Sequence, residues 1–161
     1  MGHLHDFWEG LRARTLPWLH RWLAVVGAYA EGEVAESSYA LTAELDAEAL
    51  ERKLHRLGFV RNPLAAFERR PGGHEVGSWA RRESLLADRQ LHVLLFAGPT
   101  GAETDVYAHE EASWITRPVA HYHKEAIDVI AGVREVRRRF REAGIPVRTR
   151  TDAPPDASQA G

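Results

Sequence analysis

The sequence predicts an α+β fold: a curved antiparallel sheet of about five strands packed against an N-terminal helix, a middle helix and a long C-terminal helix. Two observations carry this expectation. Apolar residues recur at a period of two through the middle of the chain, between turn signals, and at three- and four-residue spacing in the segments around it. The resulting order of helix, strand, helix, four strands, helix places helices on one face of hairpin-linked strands.

The first element is a helix over about Leu16 to Ala30. Thr15 caps it, and Pro17 suits its first turn. Trp18, Trp22, Val25, Val26 and Tyr29 share one broad face, which reads as a core helix lying on the sheet. Two alternatives stand beside it. One is a helix lying in a membrane interface. The other is a secretory signal, because Arg12 and Arg14 precede an apolar run ending in Ala28-Tyr29-Ala30. Asp6, Glu9, His20 and Arg21 interrupt that pattern.

Tyr39, Leu41, Ala43 and Leu45 then alternate with Ser38, Ala40, Thr42 and Glu44, the signature of a half-buried strand. Asp46 caps the middle helix, Glu48 favours its first turn, and Gly58 stops it. Its stripe of Leu50, Leu54 and Leu57 is expected to pack on Leu41, Val93 and Leu95. Phe59 to Arg69 reads as extended, and Arg70-Pro71-Gly72-Gly73 as a turn opening a strand from about His74 to Arg82. Leu85 to Gln90 connects to Leu91–Ala97, apolar on both faces and therefore a central strand. Gly98-Pro99-Thr100-Gly101 turns the chain into a strand from Thr104 to Glu110, and Trp114 to His123 reads as a loop. The last helix runs from about Lys124 to Ala143 on Ile127, Ile130, Val133, Val136 and Phe140, with Gly144 and Pro146 ending it. Residues 1–150 read as one domain and 151–161 as a disordered tail.

Composition narrows the function classes. The chain has 161 residues, 44% hydrophobic and 27% charged, as in a globular protein. No apolar run reaches the roughly 18 to 20 residues a spanning helix needs. Cysteine is absent, which excludes disulfides, thiolate-bound metal and thiol catalysis. The net charge of −2 argues against a chain that is basic throughout. A cytoplasmic location is expected, or secretion if residues 1–30 are a signal.

Three groups of residues could carry chemistry. Among nine histidines, His92, His109, His121 and His123 lie at or near strand ends and loops. His109 and Glu111 are two apart on a strand and so leave the same face, and His121 and His123 repeat the spacing. Imidazoles with one carboxylate suit a divalent metal such as zinc, and His109, His121 and His123 are the expected ligands. His121-Tyr122-His123 also resembles the histidine–hydrophobic–histidine motif of rolling-circle nucleases. That resemblance implies a tyrosine nucleophile on a neighbouring helix, and no tyrosine follows Tyr122. The second group is basic. Residues 134–150 carry a net +5, with Arg134, Arg138 and Arg141 on one helix face, opposite in sign to seven uncompensated acids at 31–51. The third is a possible ligand pocket of Trp79, Tyr107, Trp114 and Tyr122.

The leading expectation is a binding or interaction module for a small molecule or a protein partner. The alternative is a metal-dependent hydrolase in which Glu111 or Glu110 is the general base and Arg117 neutralises an anionic substrate. A second alternative is an accessory nucleic-acid binder acting through the arginine-rich helix.

Overall fold

The structure, a computed structural model, describes residues 31–62, 67–71 and 73–150. The expected N-terminal helix and the expected C-terminal tail lie outside the described residues. Among the described residues nine strands are found: β1 (Glu31–Glu33), β2 (Tyr39–Ala43), β3 (Val60–Arg61), β4 (Phe67–Arg70), β5 (Gly73–His74), β6 (Gly77–Arg81), β7 (Arg89–Ala97), β8 (Thr104–Ala112) and β9 (Val147–Arg148). Helices α1 (Ala47–Arg56), α2 (Pro118–Tyr122) and α3 (Val129–Glu142) join them, with a 3-10 turn at Glu36–Ser38. Among these described helices none is long and apolar enough to cross a membrane.

The expected α+β class is observed, with six strands in the main sheet rather than five. Their order is β3-β6-β7-β8-β2-β9, antiparallel throughout, and the sheet does not close. A smaller sheet, β1-β4-β5, pairs β1 parallel to β4. The turn at residues 70–73 does form a hairpin, but it belongs to this smaller sheet.

Alternation along β7 sends Leu91, Val93 and Leu95 to one face of the main sheet. There they meet Leu41, Val106 and Ala108, with Leu50 and Leu54 from α1 and Val136 and Phe140 from α3. Leu57 packs at the margin, so the expected stripe and its target coincide. The α1 cap is as expected, with the Asp46 carboxylate accepting from the Ala49 N–H at 2.7 Å. Leu94, Phe96 and Tyr107 form a second cluster on the opposite face, under Val34 and Tyr39.

The last third of the chain departs from expectation. The C-terminal helix starts at Val129, because Lys124 and Ala126 take left-handed backbone angles of 53° and 57° that no helix allows. Asp128 supplies the real cap, accepting from the Ala131 N–H at 2.8 Å. Ile127 and Ile130, expected in the buried stripe, are therefore 40% and 78% exposed. The loop at 114–123 contains α2, opened by Pro118 at its first position. Beyond Pro146 the chain adds β9 to the edge of β2.

Helix α3 presses closely onto β8. A Cβ at Gly132 would sit 2.3 Å from the His109 Cα, so only glycine permits the contact. Asp128 and Glu110 also exchange backbone hydrogen bonds of 2.8 and 2.9 Å. Together these contacts fix the backbone of His109 to Glu111.

A candidate metal centre on the polar face of the sheet

Residues at even positions of β7 and odd positions of β8 point away from the main core. Pairing sets His92 opposite His109 and Gln90 opposite Glu111, while Ser78 on β6 lies diagonal to His92. Polar side chains from three neighbouring strands thus meet on one face. The His92 Nδ1 is 3.3 Å from the His109 Nε2 and 3.4 Å from Glu111 Oε1. The His109 Nε2 is 3.3 Å from Glu111 Oε2. Ligand atoms around a tetrahedral ion with bonds of about 2.0–2.1 Å stand roughly 3.3–3.4 Å apart. The two nitrogens have that spacing, each faces its own oxygen of Glu111, and one ligand atom from each of the three residues lies within 4.8 Å of the others.

The surrounding hydrogen bonds orient these atoms. Ser78 Oγ lies 2.8 Å from His92 Nε2. When that nitrogen carries the proton and donates to Ser78, the Nδ1 lone pair faces His109 and Glu111. Gln90 Nε2 donates to Glu111 Oε1 at 2.7 Å, and Arg82 Nη1 donates to Gln90 Oε1 at 2.8 Å, which fixes the Gln90 amide. The Arg82 guanidinium stacks 5.6 Å over Trp114. A cation thereby reaches the carboxylate through one amide.

The electrostatics keep the trio ready for a cation. Burial pushes His92 down to about 4, against the pull of the Glu111 carboxylate, so its imidazole is neutral near pH 7. Burial pushes Glu111 up, but His92 and the hydrogen bond and charge of His109 outweigh it and hold the carboxyl down to about 2. A neutral imidazole and an ionised carboxylate are the forms that bind metal. His92 and Glu111 are 6% and 5% exposed. His109 is more open, so solvent reaches the trio from its side.

The expected site residues are placed as follows. His109 and Glu111 belong to the trio, and its third member is His92. His121, on α2, lies beside it. Its Nδ1 is 3.0 Å from the Ala112 carbonyl oxygen and 3.5 Å from Glu111 Oε1. His123 is exposed after α2. Glu110 points to the other side of β8, where Arg89 Nε lies 3.3 Å from its carboxylate. Arg117 is exposed, 3.5 Å from Asp88. Trp79 and Tyr107 sit in separate clusters on opposite faces of the sheet, and Trp114 is half-buried against Arg82. Tyr122 ends α2, and its side chain lies outside the described set. Arg138 is held by Glu135 and Glu142, while Arg134 and Arg141 line a cleft on α3.

Sequence reasoning placed His92 among the notable histidines without choosing it as a ligand, and it missed Gln90 and Ser78 altogether. The available signal was polar residues at every second position entering an otherwise apolar strand. Comparison of the chain with protein-family models, curated proteins and solved structures finds no match.

Proposed function

We propose that this protein is a divalent-metal-dependent hydrolase whose ion is held by His92, His109 and Glu111. One observation carries the reading: two imidazole nitrogens 3.3 Å apart and one carboxylate, on adjacent strands, bring one ligand atom each to within 4.8 Å of the others. Two histidines and one carboxylate form a ligand set suited to zinc or ferrous iron, and a set of three leaves a position for water. A metal in this site would lower the pKa of bound water and supply a nucleophile near neutral pH.

The chain's own residues have separate tasks. Ser78 sets the His92 tautomer, and Gln90 holds the Glu111 carboxylate. His121 donates its Nδ1–H to the Ala112 carbonyl, leaving its Nε2 with a lone pair that can take a proton. Its Nδ1 stands 3.5 Å from Glu111 Oε1, beside the trio, and it is the residue we assign to proton transfer.

The test is metal content followed by activity. Purified protein supplemented with zinc or cobalt should retain about one ion per chain after gel filtration. The cobalt form should show the visible bands of low coordination. Joint replacement of His92 and His109 by Ala should abolish both. A set of chromogenic carboxylic and phosphoric esters should be cleaved by the metal-loaded protein and spared after chelation. Retention that is unchanged in the double variant would overturn the metal reading. One bound ion with no hydrolysis would remove the hydrolase and leave a metal-binding module.

A further inference from the structure

On the outward side of α3, Arg134, Arg137, Arg138 and Arg141 share a stretch of surface with Ile130 and Val133. Together with Val129 and Ser37 they line a cleft of about 550 Å³. No carboxylate lines it among the described residues. Most arginines nearby are already matched. Arg138 is bonded to Glu135 and Glu142 at 2.6–2.9 Å, and Arg139 Nε lies 2.7 Å from Glu135. Arg148 donates to Glu103, and Arg150 donates to Glu36.

Three members of the cleft differ. Arg137 donates its Nε to the Ala40 carbonyl at 2.7 Å, which fixes the guanidinium and leaves its terminal nitrogens without a described partner. Arg134 and Arg141 have neither hydrogen bond nor ion pair among the described residues. Three guanidinium groups thus border an apolar wall, and no carboxylate among the described residues lines the cleft with them. An anion with several acceptor oxygens would complete the arrangement.

We infer that this cleft binds a phosphate monoester carrying an apolar portion. A monoester presents three terminal oxygens and nearly two negative charges, which suits three guanidinium forks better than the two oxygens of a carboxylate. Ile130 and Val133 give the ester's apolar portion a surface. The volume lies in the range of small-molecule sites. Nucleic acid fits less well, because among the described residues no aromatic side chain lines the cleft for a base to stack on. The monoester could be soluble or the headgroup of phosphatidate. This site lies across the main sheet from the metal trio and stands independently of it.

Calorimetric titration of the full chain with hexyl phosphate and with inorganic phosphate tests the inference. Hexyl phosphate should bind more tightly than inorganic phosphate. Arg134→Gln and Arg141→Gln should each weaken it about ten-fold, the size of one charge-assisted hydrogen bond. Ile130→Ser should erase the advantage of the hexyl chain while inorganic phosphate binding persists. Arg52→Gln, an exposed change on α1, should do nothing. Co-sedimentation with phosphatidylcholine vesicles containing phosphatidate separates the two sources. Binding to vesicles but not to hexyl phosphate, with the same arginine dependence, assigns the lipid headgroup. The reverse assigns a soluble ester. Binding that ignores Arg134 and Arg141 overturns the inference. So does tighter binding of a single-stranded oligonucleotide that those two variants abolish. Unchanged melting temperatures in all variants separate loss of the site from loss of the fold.

Discussion

The two faces of the main sheet are built from the same strands and do opposite physical work. One face carries Leu91, Val93 and Leu95, closed by α1 and α3. Its stabilisation is non-directional and scales with the apolar area removed from water. The other face, on the same strands, carries Ser78, Gln90, His92, His109 and Glu111. Polar groups there are unfavourable to bury unless each finds a partner. Nearly every atom of that row does, through bonds that run across three strands. Substitution should therefore damage stability on the first face and binding on the second.

The largest effect is expected on the apolar face. Leu54→Ala should lower unfolding free energy by about 2 to 5 kcal/mol, since Leu54 is fully buried between helix and sheet. His92→Leu should cost the metal-free protein less, about 1 to 3 kcal/mol, the penalty of leaving the buried Ser78 hydroxyl without its partner. Denaturant melts of the two variants make the contrast. Equal losses would mean that both faces are structural and would remove the distinction.

Next in size is Gly132→Ala, where the faces communicate. The new methyl group meets the backbone of His109 and Glu110 rather than a yielding side chain. A cost of about 1 to 3 kcal/mol is expected, with weakened metal retention because β8 must shift. Destabilisation with full metal retention would show that the trio does not depend on the position of α3.

A smaller effect separates the trio from its supports. Gln90→Leu leaves all three ligands in place but removes the donor to Glu111 and the acceptor for Arg82. Cobalt affinity should fall about ten-fold, the lower end for a partner of this kind. An unchanged affinity would mean that Glu111 is positioned by its backbone alone.

The smallest effect lies on the polar face but away from the trio. The Arg150 guanidinium, first among several influences, holds the Glu36 carboxyl below its usual range. A folded-state pKa below the unfolded one adds stability at pH values above the unfolded pKa. That stability is lost as pH falls through the folded pKa. Arg150→Gln should therefore raise the Glu36 pKa, followed by NMR titration. The stability difference between the two proteins should be small and should vanish in acid. A difference that persists at low pH would point to the stacking of Arg150 over the Tyr39 ring instead.

Local chemistry decided α1, and it is legible from Asp46 to Gly58. The cap, the leucine stripe and the stopping glycine are all short-range signals, and each acts within a turn or two of helix. The turn at 70–73 and the period-two run of β2 are of the same kind. The last helix was less legible, because Ile127 and Ile130 continue its apolar period without being part of its buried face. The Asp128 cap sets its start and is a short-range signal, but the left-handed backbone at Lys124 and Ala126 is what stops the helix from beginning earlier, and nothing short-range in those residue types demands that conformation.

The candidate site belongs to the tertiary structure. Its trio depends on the register of β7 against β8, which the connection from Gly98 to Glu103 fixes by pairing Ala97 with Thr104. A turn closing after Gly101 would set a different partner opposite His92. Register in a hairpin follows from loop length, and a shift by one residue sends every side chain to the other face. The sequence by itself determined which residues alternate and where polar ones interrupt an apolar strand. The two-residue spacing already put His109 and Glu111 on one face, and only the folded sheet decided that His92 joins them, because that approach is a property of the pairing between two strands.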